Sequence, residues 1–478
     1  EGDDLKPVIE DVANSTEMFT GAPYPDRDMV LSGIAYLGAG PMVTALEHGA
    51  DIVITGRCAD SAMALAAAMH FLGWRDDDFD LLAAGSLAGH LIECGPQSTG
   101  GNYTDWDSVP DPSRIGYPIA EVFGDGRIDI TKPAGTGGVV SRETVGEQML
   151  YEIGDPAAYA LPDVVCDFTH VTLSQAAADR VEVREVRGRP PTGQLKVTTT
   201  HQIGYRAGQV LNFSGRSARD KARSYIDAVL ERTRARLNEM GLADFDQVHV
   251  ETFGGLSAQT DLEEIAVTAA VRHQDARAVG LFLKELIGHA LGTPPGLHFF
   301  TGGGRPKPSP VVAAFSSLVD ADLPKVTVTL EDDALPYVRR GTKTQAARPP
   351  QVTPPEPEPT AMTDIRLEEI AVARSGDKGD MANIGVMARS PAYLPWIWAA
   401  LTPERIAGIF DGLVAGDITR FYLPGSDAMN ILMDQALGGG GIASLRNDSQ
   451  GKAFAQRLLS CSIAIPQDLL PNQEKGAP

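Results

Sequence analysis

Residues 342–363 read TKTQAARPPQVTPPEPEPTAMT, a stretch with six prolines and almost no apolar side chain. It has little to bury and gives up backbone donors at each proline, so it behaves as an extended linker. No single core runs through a chain interrupted in this way. The 478 residues therefore divide into a region at 1–341 and a module at 364–467, with a frayed tail at 468–478.

The charge balance narrows the partners. With 41 Lys and Arg against 63 Asp and Glu, the net charge is −22. A surface so acidic repels nucleic acid and anionic membrane, and a negatively charged ligand needs a local basic pocket. Cys58, Cys94, Cys166 and Cys461 form no C-x-x-C pair, which fits a reducing cytoplasm and neither a disulfide framework nor a zinc knuckle. No apolar run reaches the roughly 18 to 20 residues that span a bilayer. The start EGDDLKPVIE is not a signal peptide, and opening on Glu1 instead of Met suggests an upstream piece.

Periodicity gives a coarse fold. Pro41–His48 reads as helix, Ala50–Thr55 as a short buried strand and Ser61–Phe71 as helix. That order predicts an α/β region containing a parallel sheet. Strand patterns at 179–185, 194–200 and 247–252 around a helix at 217–240 predict an α+β subdomain at 162–253, and a helix at 275–290 follows. The C-terminal module reads strand 365–373, strand 384–388, helix 403–413, strand 418–423, helix 427–437, helix 451–459 and a last short strand, a small α/β sandwich. Thr402 before Pro403 is a sound helix start.

Three kinds of constellation carry chemistry. Arg57, Asp60 and Ser61 sit between the expected strand 50–55 and the helix after it, where free N–H groups and a guanidinium suit a carboxylate or phosphate; the plainer reading has Asp60 or Ser61 capping the helix and Arg57 paired with it. His90 and Cys94 are four apart on a helix ending at Gly95, with Glu93 one step round. That spacing allows an activated thiolate or a His–Glu acid–base pair, or merely a core histidine and a buried thiol. Thr-Gly-Gly turns recur at Thr99-Gly100-Gly101, Thr136-Gly137-Gly138 and Thr301-Gly302-Gly303, each able to offer N–H groups to an oxyanion. Lys132 and Arg305 add positive charge nearby in sequence. None matches a P-loop or a dinucleotide fingerprint, so no cofactor is expected. The histidines lack ligand spacing, so no metal site is expected either.

The densest charge cluster is Arg374–Gly385, RSGDKGDMANIG, a glycine-hinged loop between apolar runs. Gly376 and Gly379 let Asp377, Lys378 and Asp380 converge on one spot, though a solvated hairpin turn has the same look. The segment ARSGDKGDMANIGVMAR resembles the signature of the C-terminal module of the acyclic terpene utilisation (AtuA) family. GADIVITGRCADSAMALA, LAGHLIECGPQSTGG, KPAGTGGVV, EQMLYEIGDPAAY and PPGLHFFTGGGRPKPSPVV resemble the same family, in order, over most of residues 33–466.

The resemblance implies a ferredoxin-like fold for the C-terminal module and a place in the breakdown of citronellol- or geraniol-type acids or their CoA thioesters. It also implies, as the alternative, a non-catalytic acyl-CoA-binding or accessory subunit of an acyl-CoA carboxylase or related enzyme. Within the family the HL-ECG element recurs, which makes His90 and Glu93 the acid–base candidates, followed by Cys94. From the residues themselves, hydration or lyase-type proton transfer on a branched acyl-CoA thioester fits best, with a Thr-Gly-Gly turn polarising the thioester carbonyl and Arg57 or Lys378 holding an anionic group. Asp377, Lys378, Asp380 and Asn383 are expected to fold over the N-terminal region of the same or a neighbouring chain. A homo-oligomer is the expected assembly.

Overall fold

A computed structural model describes residues 1–256, 262–299, 306–339, 349, 352, 354–358 and 361–471. Its largest sheet is built on one strand of 21 residues, Gln194–Ser214. Inward Leu195, Val197, Leu211 and Phe213 are buried, the period-two pattern that holds a strand to a core face. Val30–Ala35, Glu263–His273, Ser309–Asp320 and the short Leu297–His298 all pair with it antiparallel, and Gln247–Leu256 extends the sheet beyond Glu263–His273. Helices Ala218–Glu239 and Ala276–Gly288 close one face through Tyr225, Ile226, Val229 and Phe282.

The expected parallel sheet is absent among the described residues: every ladder is antiparallel. Ala50–Thr55, read as its buried strand, joins no ladder. Ile52 and Ile54 are 82% and 91% exposed, and parallel pairing among the described residues is confined to the isolated bridges Leu37–Cys58 and Ile115–Gly137. The apolar run was the right composition for a strand, but a strand exists only where a partner satisfies its N–H and C=O groups. The expected subdomain is also redistributed. Gln194–Ser214 and Gln247–Leu256 belong to the large sheet, whereas Arg180–Arg184 lies in a four-stranded sheet with Ile119–Val122, Ile128–Thr131 and Thr172–Ala177.

Helices Ala62–Leu72 and Phe79–Glu93 pack against each other beside that smaller sheet. A side chain at Gly89 would come within 2.6 Å of the Ser61 backbone, so the glycine sets their approach. Around them lies a core of Leu65, Leu82, Leu87, Leu91, Ile128, Ile130, Val181 and Phe168.

The C-terminal module is a four-stranded antiparallel sheet in the order Ala371–Lys378, Met381–Ala388, Ala428–Met433, Ile418–Leu423. Val372, Met387, Leu423 and Ala428 enter the N-terminal core, while Ala373, Ile384, Val386, Ile431 and Met433 form a second core with helices Leu394–Ala400 and Phe454–Leu459. With both faces covered, its strands read as continuous apolar runs. This explains a correction: residues 427–437, expected as helix, contain the strand Ala428–Met433, because a short apolar run without alternation fits either state. The charged loop is itself mostly strand, a hairpin with Lys378 opposite Met381.

Candidate active site at the junction of the two modules

The hairpin packs on helix Arg142–Leu150 and the residues just after it, and glycines permit the approach. A Cβ at Gly385 would stand 2.2 Å from Leu150 Cβ, and one at Gly376 would meet Tyr151 and Glu152 at 2.6 Å. Gly376 thus serves close packing, while Gly379, at φ +70°, makes the turn.

Asn383 and Asn430, both buried, lock the junction. Asn383 Nδ2 donates to the Leu150 carbonyl at 2.8 Å and to Asn430 Oδ1 at 3.0 Å, and its Oδ1 accepts the Glu152 N–H at 2.9 Å. Asn430 Nδ2 donates to the carbonyls of Ile153 (2.9 Å) and Gly154 (2.8 Å). Together they hold Glu152 at φ +55°, a left-handed conformation that a non-glycine residue adopts at a cost. Arg374 donates to the Asn102 carbonyl at 3.0 Å and to Gln97 Oε1, and lies 5.0 Å from the Tyr151 ring centre. Lys452 binds Glu152 at 2.9 Å, Asp377 at 3.1 Å and the Tyr151 hydroxyl.

Within this frame Glu93 and Lys378 come together. His90 Nε2 lies 2.9 Å from the Gln148 carbonyl and Nδ1 lies 3.1 Å from Glu93 Oε1. A carbonyl and a carboxylate only accept, so with Glu93 ionised both ring nitrogens donate, and His90 holds the carboxylate in place as an imidazolium. Glu93 keeps 24% side-chain exposure, and among the described residues its second oxygen accepts no hydrogen bond. Lys378 Nζ donates to the Tyr159 hydroxyl at 3.5 Å and sits 5.3 Å from that ring's centre. Burial favours the neutral amine, but Tyr159, Glu152 and Glu93 outweigh it and hold Lys378 above the ordinary lysine range. Burial in turn keeps Tyr159 a phenol.

Three of the expected catalytic residues are held in other ways. Burial first, then the Glu93 and Glu152 carboxylates, push the Cys94 thiol up, away from the thiolate form. Asp380 Oδ1 accepts the N–H groups of Leu437 (3.2 Å), Gly439 (2.9 Å) and Gly440 (3.1 Å), so it anchors the glycine run. Asp377 is paired with Lys452.

The substrate-binding candidates scatter. In the turns, Gly100, Gly101, Thr136, Gly137 and Gly138 donate their N–H groups to the carbonyls of Gln97, Pro96, Pro133, Arg114 and Pro110, leaving none aimed at an oxyanion. Thr99 is buried, its hydroxyl donating to the Gly116 carbonyl at 2.6 Å. Lys132 is spent on the Thr136 carbonyl (3.0 Å) and Asp179 (3.1 Å). Arg57 pairs with Asp60 at 3.3 Å, as its plainer reading had it, and Ser61 makes no side-chain cap. Gly303 and Arg305 lie outside the described residues. A cleft of about 920 Å³ opens elsewhere, past His70, Asp163 and Tyr337, and holds none of the predicted site residues.

A family model described as acyclic terpene utilisation family protein AtuA matches residues 1–330, well over half of the chain. The chain belongs to the AtuA family. A second model, the AtuA ferredoxin-like domain, matches residues 365–464, so the two modules that build the junction are those of the family. No curated protein and no solved structure matches the chain. Among the described residues no helix is long and apolar enough to cross a membrane.

Tyr159, Glu152, Lys452 and Gln148 complete the junction and escaped the sequence reading. Tyr151, Glu152 and Tyr159 lie in the family block EQMLYEIGDPAAY, where a carboxylate and two phenols amid apolar residues were a usable signal. Lys452, 74 residues beyond Lys378, left none.

Proposed function

We propose that this AtuA-family chain acts in acyclic terpenoid breakdown by acid–base chemistry on a branched acyl-CoA thioester, adding water across an α,β double bond or removing it. The observation that carries the reading is the junction itself: a carboxylate steered by His90 beside an ammonium–phenol pair contributed across the module boundary. Glu93 takes a proton from water as the water oxygen bonds the β-carbon. The displaced electron pair runs to the thioester oxygen, which the Lys378 ammonium and Tyr159 hydroxyl stabilise, and the proton returns at the α-carbon. Charge develops where a fixed cation waits, which is the arrangement that lowers such barriers most.

The test is incubation of the protein with branched 2-enoyl-CoA thioesters in 18O water, followed by mass spectrometry. A labelled 3-hydroxyacyl-CoA is expected, with Glu93→Gln and Lys378→Met each slower by about 10²- to 10⁴-fold. No product from any branched enoyl-CoA, with tight binding unchanged by Glu93→Gln, favours the second reading, a non-catalytic acyl-CoA-binding subunit. One observation speaks for it: Arg374 and Asn383 are engaged in joining the modules, and Asp377 and Asp380 in bonds within the C-terminal module.

A further inference from the structure

Gln148 holds His90 from two sides. Its main-chain carbonyl accepts from His90 Nε2 at 2.9 Å, and its side-chain Nε2 donates to the His90 carbonyl at 2.9 Å. Both residues are buried. Gln148 Oε1 accepts from Gln97 Nε2 at 3.1 Å, and Gln97 Oε1 accepts from Arg374 Nη2. These bonds run in one line from the hairpin strand Ala371–Lys378, through the turn Gly95–Thr99 and helix Arg142–Leu150, to the last turn of helix Phe79–Glu93. The line ends at Glu93 Oε1, 3.1 Å from His90 Nδ1.

The line has one sense. A side-chain amide accepts at one end and donates at the other, so partners that can do only one of these decide which way round it sits. Arg374 can only donate, and the His90 carbonyl can only accept. Gln97 therefore turns Oε1 to Arg374 and Nε2 to Gln148, and Gln148 meets it with Oε1, keeping its own N–H for His90. Turning either amide round sets like against like at both of its ends. The other donor at Gln97 Oε1, Asn102 Nδ2, stands off at 3.5 Å.

Arg374 also shares a strand with Lys378. The two are four residues apart, hence on one face, and Gly376 between them lies against Tyr151 and Glu152. The approach that delivers the Lys378 ammonium thus delivers the Arg374 guanidinium to Gln97.

From this we infer that Arg374 is a positioning residue: acting through Gln97, Gln148 and His90 it orients the Glu93 carboxylate, so docking of the C-terminal module sets both the base and the cation of the site. The inference rests on the proposed function for the use made of Glu93.

The experiment labels the full chain with 15N-histidine and reads the His90 ring signals by NMR, identified among the nine histidines by their absence in His90→Gln. Arg374→Met and Gln97→Met are each expected to move both ring nitrogens by more than the line width. Arg142→Met, which also removes a cation from the module boundary, at Asp427 (2.7 Å), is expected to leave them in place. With branched 2-enoyl-CoA thioesters, the first two variants should lower kcat about ten- to a hundredfold with KM within about twofold. The double variant should lose no more than the larger single loss, because groups on one line act as a unit. Ring signals unmoved in either variant, or moved as far by Arg142→Met, overturn the inference, and so do additive losses in the double variant. If Arg374→Met lowers the thermal midpoint, Gln97→Met decides alone, since it leaves Arg374 bonded to the Asn102 carbonyl at 3.0 Å. A protein that hydrates no enoyl-CoA sinks the proposed function, and the ring signals still decide whether Arg374 acts on His90.

Discussion

Glu147 offers a quantitative test of the junction. It sits in helix Arg142–Leu150, 4% exposed. It accepts the Thr104 N–H at 3.1 Å and the Thr104 hydroxyl at 2.5 Å, while that hydroxyl oxygen accepts the Ala373 N–H at 3.1 Å. Burial outweighs these bonds and the Arg374 charge, and raises the carboxyl to about 8. The unfolded chain releases this proton near 4.5, so the sign is fixed. Below pH 4.5 both states are protonated and the group is neutral to stability; between there and pH 8 the unfolded state gains; above pH 8 the penalty is constant. At about 1.4 kcal/mol per tenfold in proton affinity, the full penalty is about 3 to 5 kcal/mol. Glu147→Gln keeps the acceptor oxygen for Thr104 and has no proton to lose. Urea titrations of both proteins at pH 4.5, 6.5 and 8.5, read alongside hydrogen exchange at the junction, should show near-equal stability at pH 4.5 and a variant more stable by about that amount at pH 8.5. A difference that does not grow with pH would refute the assignment of a buried neutral carboxyl.

Other expectations follow from the same packing. Asn383→Leu strands the Glu152 N–H and the Leu150 carbonyl and should cost about 2 to 5 kcal/mol, seen as a lowered thermal midpoint. Gly385→Ala drives a methyl into Leu150 and should cost about 1 to 3 kcal/mol in the same assay. Cys94→Ser should keep turnover within a few-fold, and native Cys94 should react with iodoacetamide at pH 7 more slowly than a free cysteine, because its thiol is held protonated. Asp380→Ala should raise hydrogen exchange at Gly439 and Gly440, whose N–H groups it binds.

Local signals were legible where local physics decides. Helices Ala218–Glu239 and Ala276–Gly288, the strand Ile418–Leu423 and the Thr402 cap, which accepts the Arg405 N–H at 3.3 Å, follow from periodicity and capping chemistry. Sheet direction was not legible, because pairing partners such as Val30–Ala35 and Gln194–Ser214 lie some 160 residues apart. The run at Ala428–Met433 was misread as helix since both its faces are covered. In the site, the charged hairpin drew notice because it concentrates four polar groups in seven residues. Gln148 and Lys452 could not, since each gains meaning only from neighbours brought by the fold. The Thr-Gly-Gly turns at 99–101 and 136–138 have the composition of anion cradles, but their glycine N–H groups bond backbone carbonyls, a pairing that sequence alone does not reveal.

The central claim is that Glu93 moves a proton opposite the Lys378 ammonium. It is tested most directly by following deuterium at the α-carbon of a branched acyl-CoA by NMR in D2O, with wild-type protein, Glu93→Gln and Lys378→Met. The account predicts exchange catalysed by the wild type and slowed about a hundredfold or more in each variant. Exchange that proceeds equally well without the Glu93 carboxylate would contradict it.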